Sequence, residues 1–214
     1  MPLKHILLSL LGILIIVILP HLNLIPLFGY SIPIFLLVWL ILEQARENFK
    51  DIGFSWKRFE RRSLLIGIPT AILCLTFMQL VFFPGLELLV ELEASEASIY
   101  DFLKANPFQF VFTLIMGILI GGLYEEIVFH GFMFTRLERI IPGKYATAFA
   151  FAITSLLFGG YHYQLGTAGT INAFLIGMVY LGLFLANKRN LWYSIVAHGA
   201  YNTIVISMIY LGWL

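Results

Sequence analysis

Seven apolar runs, each close to the length that crosses a bilayer, constrain this chain more than any other feature. A transmembrane helix needs about 20 mostly apolar residues. Candidate spans fall at about 5–21, 24–42, 63–83, 107–129, 145–164, 170–187 and 191–213. Pro20, Asn23 and Pro26 interrupt the first long apolar stretch, leaving either a tight hairpin or one span plus a re-entrant piece. A soluble domain would be about a quarter charged; here 12% of residues are charged and 60% are hydrophobic. The expected fold is therefore all-α, a polytopic transmembrane bundle of about seven spans. It forms a single membrane domain over 1–214, with no internal repeat, low-complexity tract or second domain. Residues 1–62 would hold the N-terminal spans and an amphipathic cytoplasmic loop.

The basic residues give an orientation. Lys4 precedes the first span. Arg46, Lys50, Lys57, Arg58, Arg61 and Arg62 lie between spans two and three. Arg136, Arg139 and Lys144 follow span four, and Lys188 and Arg189 sit between spans six and seven. With the N-terminus in the cytoplasm and the C-terminus outside, only Lys104 of the 13 basic residues lies outside. Losing one span would put these rows on alternating sides. The first run has one basic residue before it and no small-x-small cleavage site after it, so it reads as a retained span in the cell membrane.

The loop 43–62 carries Phe49, Ile52, Phe54, Trp56 and Phe59 among its basic residues, as a segment lying on an anionic inner leaflet would. Residues 84–106 interleave acidic and leucine positions and read as a solvated connector or a short surface helix. A net charge of +1, with the basic residues between spans rather than along one face, excludes nucleic acid as a partner. The single cysteine, Cys74, has no partner for an internal disulfide and reads as an inert small hydrophobe.

Few ionisable residues remain at membrane depth: Glu125, Glu126 and His130 in span four, His162 late in span five, and His198 in span seven, with Asn202 one turn on. A charged group at the bilayer centre costs a few kcal/mol or more, so such residues face the bundle interior or a wet cavity and suggest function. Spacing lets them meet. Glu125 precedes the Pro142-Gly143 turn by 17 residues and His162 follows it by 20, a depth difference of only about 5 Å. This requires helix four to run on past residue 129, with Gly117, Gly121, Gly122 or Gly131 allowing a bend. His198 and Asn202, at i and i+4, share a helix face.

A carboxylate in an apolar pocket can serve as a general base near neutral pH. It could take a proton from water while a histidine orients that water. A second histidine and an asparagine amide could stabilise the oxyanion of a tetrahedral intermediate. Those are the parts needed to hydrolyse an amide within the membrane. No serine or cysteine nucleophile arrangement competes, and the zinc signature His-Glu-x-x-His is absent. Bland readings stay open for each part: a structural carboxylate pair at 125–126, an interfacial histidine at 162 beside Tyr161 and Tyr163, and inter-helix hydrogen bonding by His198 and Asn202.

Three motifs carry a resemblance. Glu125-Glu126-x-x-x-His130 followed by Gly131, then Phe158-x-x-x-His162, then His198-x-x-x-Asn202, resemble those of the CPBP intramembrane peptidases, the CAAX-processing and bacteriocin-processing family that includes the type II CAAX prenyl endopeptidases. The resemblance covers about 107–206, the expected peptidase core. It implies catalytic roles for Glu125, Glu126, His162, His198 and Asn202: Glu125 with His162 activates water, Glu126 supports Glu125, and His198 with Asn202 forms the oxyanion site. It also implies a membrane-associated peptide or protein as substrate. His130 stands where the family usually has arginine, and is expected to support Glu126 from one turn away. An arginine would pair with a carboxylate permanently, a histidine only when protonated. The family has been described both as metal-dependent and as metal-free glutamate peptidases. Asn202, a good amide donor and a poor metal ligand, favours a site without zinc or any other cofactor. Two rivals to the peptidase are a proton- or ion-coupled transporter, which would predict symmetry-related broken helices, and a non-catalytic immunity or scaffold protein, for which His130 is the best argument.

Overall fold

The computed structural model describes residues 1–22, 24–25, 28–89, 103 and 106–213, and every regular element among them is helical. Seven helices follow in order. Helix α1 runs over Leu3–Leu22, its last turn tightened to a 3-10 helix, and α2 over Ser31–Gln44. Helix α3 covers Arg61–Glu87 and α4 the 34 residues Pro107–Ile140. Helix α5 is Ala146–Tyr161, α6 Gly166–Ala186 and α7 Trp192–Leu211. Five helices are long and apolar enough to cross a membrane. Helices α2 and α5, of 14 and 16 residues, reach only about 21 and 24 Å. The second span thus starts later than hydropathy places it. Of the residues expected to break it, Asn23 and Pro26 lie outside the described residues, as does most of the acidic connector 84–106.

An exterior of large apolar side chains fits lipid contact: Leu65 on α3 is 75% exposed and Leu73 69%. Helix α7 is held mainly between α3 and α4, while α5 packs on α6. Small residues set those distances. A Cβ on Gly122 of α4 would lie 3.0 Å from the Gly199 Cα of α7. One on Gly67 of α3 would lie 2.9 Å from the Ala197 nitrogen.

Three basic-rich connections meet at one end of the bundle. Glu47 pairs with Arg136 at 3.1 Å and with Arg139 at 2.7 Å. Glu138 takes both terminal nitrogens of Arg189, at 2.6 and 2.8 Å, and the Thr147 hydroxyl. Arg58 donates to the carbonyls of Lys188 and Arg189, and the Asn190 amide donates to the carbonyl of Arg58. The 43–62 segment only partly lies at the surface. Asn48 caps a 3-10 turn, Phe49–Ile52, and Ile52 and Phe54 are buried in the main core. Trp56, by contrast, is 68% exposed.

Candidate active site

Helix α4 changes its winding where the carboxylates sit. From Gly117 to Met133 its hydrogen bonds run i→i+5, the π pattern, between α-helical ends. Such winding is rare, normally limited to one turn, and frequent at functional sites. Gly117, Gly121, Gly122 and Gly131 fall inside it, as does every candidate residue of α4. Twelve residues of the segment are buried, including Glu125, Glu126 and His130.

Glu126 is the hub. Its Oε2 lies 2.7 Å from His130 Nδ1 on the same helix, and its Oε1 lies 2.8 Å from His198 Nδ1 on α7. It is fully buried, so both carboxylate oxygens are spoken for by imidazoles rather than by water. At the end of α5, His162 Nδ1 donates to the carbonyl of Phe158 at 2.8 Å. A carbonyl can only accept, so neutral His162 presents a bare Nε2. Its distance to Glu125 Oε2 is 3.8 Å, and His198 Nε2 stands 3.9 Å from the same oxygen. Among the described residues that oxygen has no hydrogen-bond partner. Separations of 3.8–3.9 Å are too long for direct hydrogen bonds but suit two bonds of about 2.8 Å converging on one water at near a right angle.

Asn202 completes the group. Its amide donates to the Gly117 carbonyl at 3.0 Å, which leaves a second N–H to use. Both the Asn202 amide nitrogen and His198 Nε2 lie against Gly121, whose missing side chain makes their neighbourhood possible. Aromatic rings hold the imidazoles in place. Tyr180 stacks on His198 at 4.7 Å and 23°. The Phe158 ring lies 4.7 Å from His162, 5.2 Å from His130 and 6.0 Å from His198.

All six residues singled out in the sequence therefore gather in one cluster, four of them buried and His162 and Asn202 half-buried. His162, from the apolar hairpin α5–α6, reaches the depth of Glu125, and α4 does run on past residue 129 as that reach requires. His130 sits against Glu126 as expected. Sequence reasoning passed over the tyrosines. Tyr124 and Tyr161 are buried, with hydroxyls that have no partner among the described residues, and Tyr180 stacks on His198. The same test of polar groups at membrane depth would have found them had it included phenols.

Whether the donors suit a metal can be judged from their geometry. When neutral, His162 and His198, each with its Nδ1 held from behind, would present bare Nε2 atoms as histidines do to metals. Spacing fits less well. Two ligands about 2.1 Å from zinc and 3.8–3.9 Å apart would subtend about 135°, far from tetrahedral. Among the described residues no group of three or more histidine, cysteine or acidic side chains is spaced to hold a metal ion.

Compared with known proteins, residues 107–204 match the family model described as type II CAAX prenyl endopeptidase Rce1-like. No curated protein matches the chain, and no solved structure does.

Proposed function

We infer that this chain, whose residues 107–204 match the type II CAAX prenyl endopeptidase Rce1-like family model, is an intramembrane endopeptidase that cuts a membrane-associated peptide or protein without forming a covalent enzyme intermediate. The observation that carries the reading is the single point, Glu125 Oε2, on which His162 Nε2 and His198 Nε2 converge from two other helices. Glu125 takes a proton from a water held between it and His162, and the hydroxide oxygen attacks the peptide carbonyl. As the carbonyl π bond opens, its oxygen becomes an anion facing Asn202 and His198. Preorganised donors at that position are usually the largest contribution to such catalysis. Asn202 donates its second N–H. His198 donates from Nε2, held in place by the Glu126 carboxylate on its Nδ1. Collapse of the intermediate breaks the C–N bond, and Glu125 passes its proton to the leaving amine.

His198 is the seventh residue of α7, so the chemistry lies about 9 Å from that end of the helix. With the basic-rich end in the cytoplasm, the scissile bond enters from the cytoplasmic leaflet of the cell membrane. We assign the N-terminus to the cytoplasm, the C-terminus to the outside and no required cofactor.

The orientation of the two bare Nε2 atoms favours one other reading. Glu125, His162 and His198 would hold a divalent metal, which would supply Lewis acidity to the bound water. One assay decides between them. Protein purified in detergent is incubated with a peptide library, with and without chelator. Chelator-resistant cleavage that disappears in Glu125→Gln supports the glutamate mechanism. Cleavage lost to chelator and restored by zinc supports the metal. No cleavage under any condition refutes the peptidase reading.

A further inference from the structure

Around Tyr124, the chain neighbour of Glu125, lies a second polar group that this chemistry does not use. Tyr124 and Tyr161 are 5% and 2% exposed, yet among the described residues neither hydroxyl has a hydrogen-bond partner. They come from α4 and α5. The ring of Tyr30, from the connection before α2, lies 6.4 Å from each of theirs. His21, at the end of α1, closes the group with a ring 5.6 Å from Tyr161 and its own unpartnered Nε2.

A buried donor without a partner costs about 1–3 kcal/mol. Two phenols and an imidazole left so, next to the general base, form an arrangement that a bound ligand with hydrogen-bonding groups would complete. A peptide cut inside a membrane has matching needs. At the scissile bond it must be extended, so it loses its helical hydrogen bonds where no water replaces them. Its bare carbonyls and N–H groups then require partners from the enzyme. A phenol offers one donor and two acceptor lone pairs and can meet either group.

We propose that the hydroxyls of Tyr124 and Tyr161, with Tyr30 beside them, form the subsite that binds the main chain of the extended substrate next to the scissile bond. This rests on the peptidase reading and adds to it where the peptide backbone lies. Recognition of main-chain groups is indifferent to side chains, so the subsite confers affinity without sequence preference.

The test uses Tyr124→Phe, Tyr161→Phe and the double variant, each in active protein and in the Glu125→Gln background. The probe is a fluorescein-labelled pool of apolar peptides, and its quenched-fluorescent counterpart reads turnover. In Glu125→Gln protein, where nothing is cut, each lost hydroxyl should weaken peptide binding about threefold to tenfold. In active protein KM should rise by the same factor with kcat unchanged, and the melting temperature without peptide should stay level or rise. Unchanged binding in the double variant overturns the subsite. So does a fall of several degrees in melting temperature, which would mean the hydroxyls are bonded within the fold. Tyrosine-dependent binding without any turnover would leave the subsite standing and remove the peptidase reading. A pool that is neither bound nor cut removes both.

Discussion

The two polar clusters of this bundle are built on opposite plans. At its basic-rich end, Glu47, Arg136, Arg139, Glu138 and Arg189 form ion pairs of 2.6–3.1 Å that tie three connections together. Deeper along α4 and α7, Glu125, His162 and His198 approach without touching, at 3.8 and 3.9 Å. In the first cluster opposite charges are matched: fully buried Arg136, two of whose nitrogens have no hydrogen-bond partner among the described residues, still has Glu47 against it and Phe132 beneath it, 5.4 Å away. In the second, carboxylates and imidazoles are brought together with atoms left over. A matched cluster holds a fold together. One with spare donors and acceptors in a dry interior is costly unless a reactant uses them.

Removing a group from each cluster should separate activity from stability. The largest effect is expected for Glu125→Gln, which keeps the shape and removes the base. Activity should fall by at least about a thousandfold, combining loss of general-base catalysis with a misplaced water. Circular dichroism melting should be nearly unchanged, and a fully active variant would end the assignment. Glu47→Ala should do the reverse. It leaves Arg136 buried without its counter-charge, at a cost of about 3 kcal/mol, read as a lower melting temperature with specific activity per folded molecule retained. Asn202→Ala should lower kcat about a hundredfold with little change in stability, as loss of one oxyanion donor does.

Two adjacent glycines sharpen the contrast. A methyl on Gly121 meets the Asn202 amide, a side-chain end that can swing away, so Gly121→Ala should lose activity while staying folded. A methyl on Gly122 meets the Gly199 backbone of α7, so Gly122→Ala should destabilise by about 1–3 kcal/mol. Equal effects at both positions would refute the distinction between the clusters. The smallest change is expected for His130→Arg, which makes the partner of Glu126 permanently charged. Peak activity should stay within about threefold. A folded but inactive variant would show that position 130 does more than support Glu126.

Most of this was legible in the chain because the bilayer imposes strong rules. A carboxylate or imidazole in an apolar run stands out, so Glu125, Glu126, His130, His162, His198 and Asn202 could be picked out one by one. Residue spacing across Pro142-Gly143 was enough to match the depths of Glu125 and His162. Less visible were the short α2, the folding of Ile52 and Phe54 into the core, and the i→i+5 winding of Gly117–Met133. Each depends on which neighbour a helix packs against, which hydropathy does not encode. The tyrosines escaped for a related reason. A phenol is apolar enough to sit in a span unremarked, and only its surroundings show whether its hydroxyl has a partner.

The sequence by itself determined that this chain is a multi-pass helical membrane protein and which of its groups must find a use there. The penalty for polar atoms in hydrocarbon acts residue by residue and so can be read that way. Only the tertiary structure decided that Glu126 is shared by two imidazoles while Glu125 is left free. That difference comes from how α4, α5 and α7 cross, and a crossing is fixed by glycine-to-glycine contact between helices far apart in the chain.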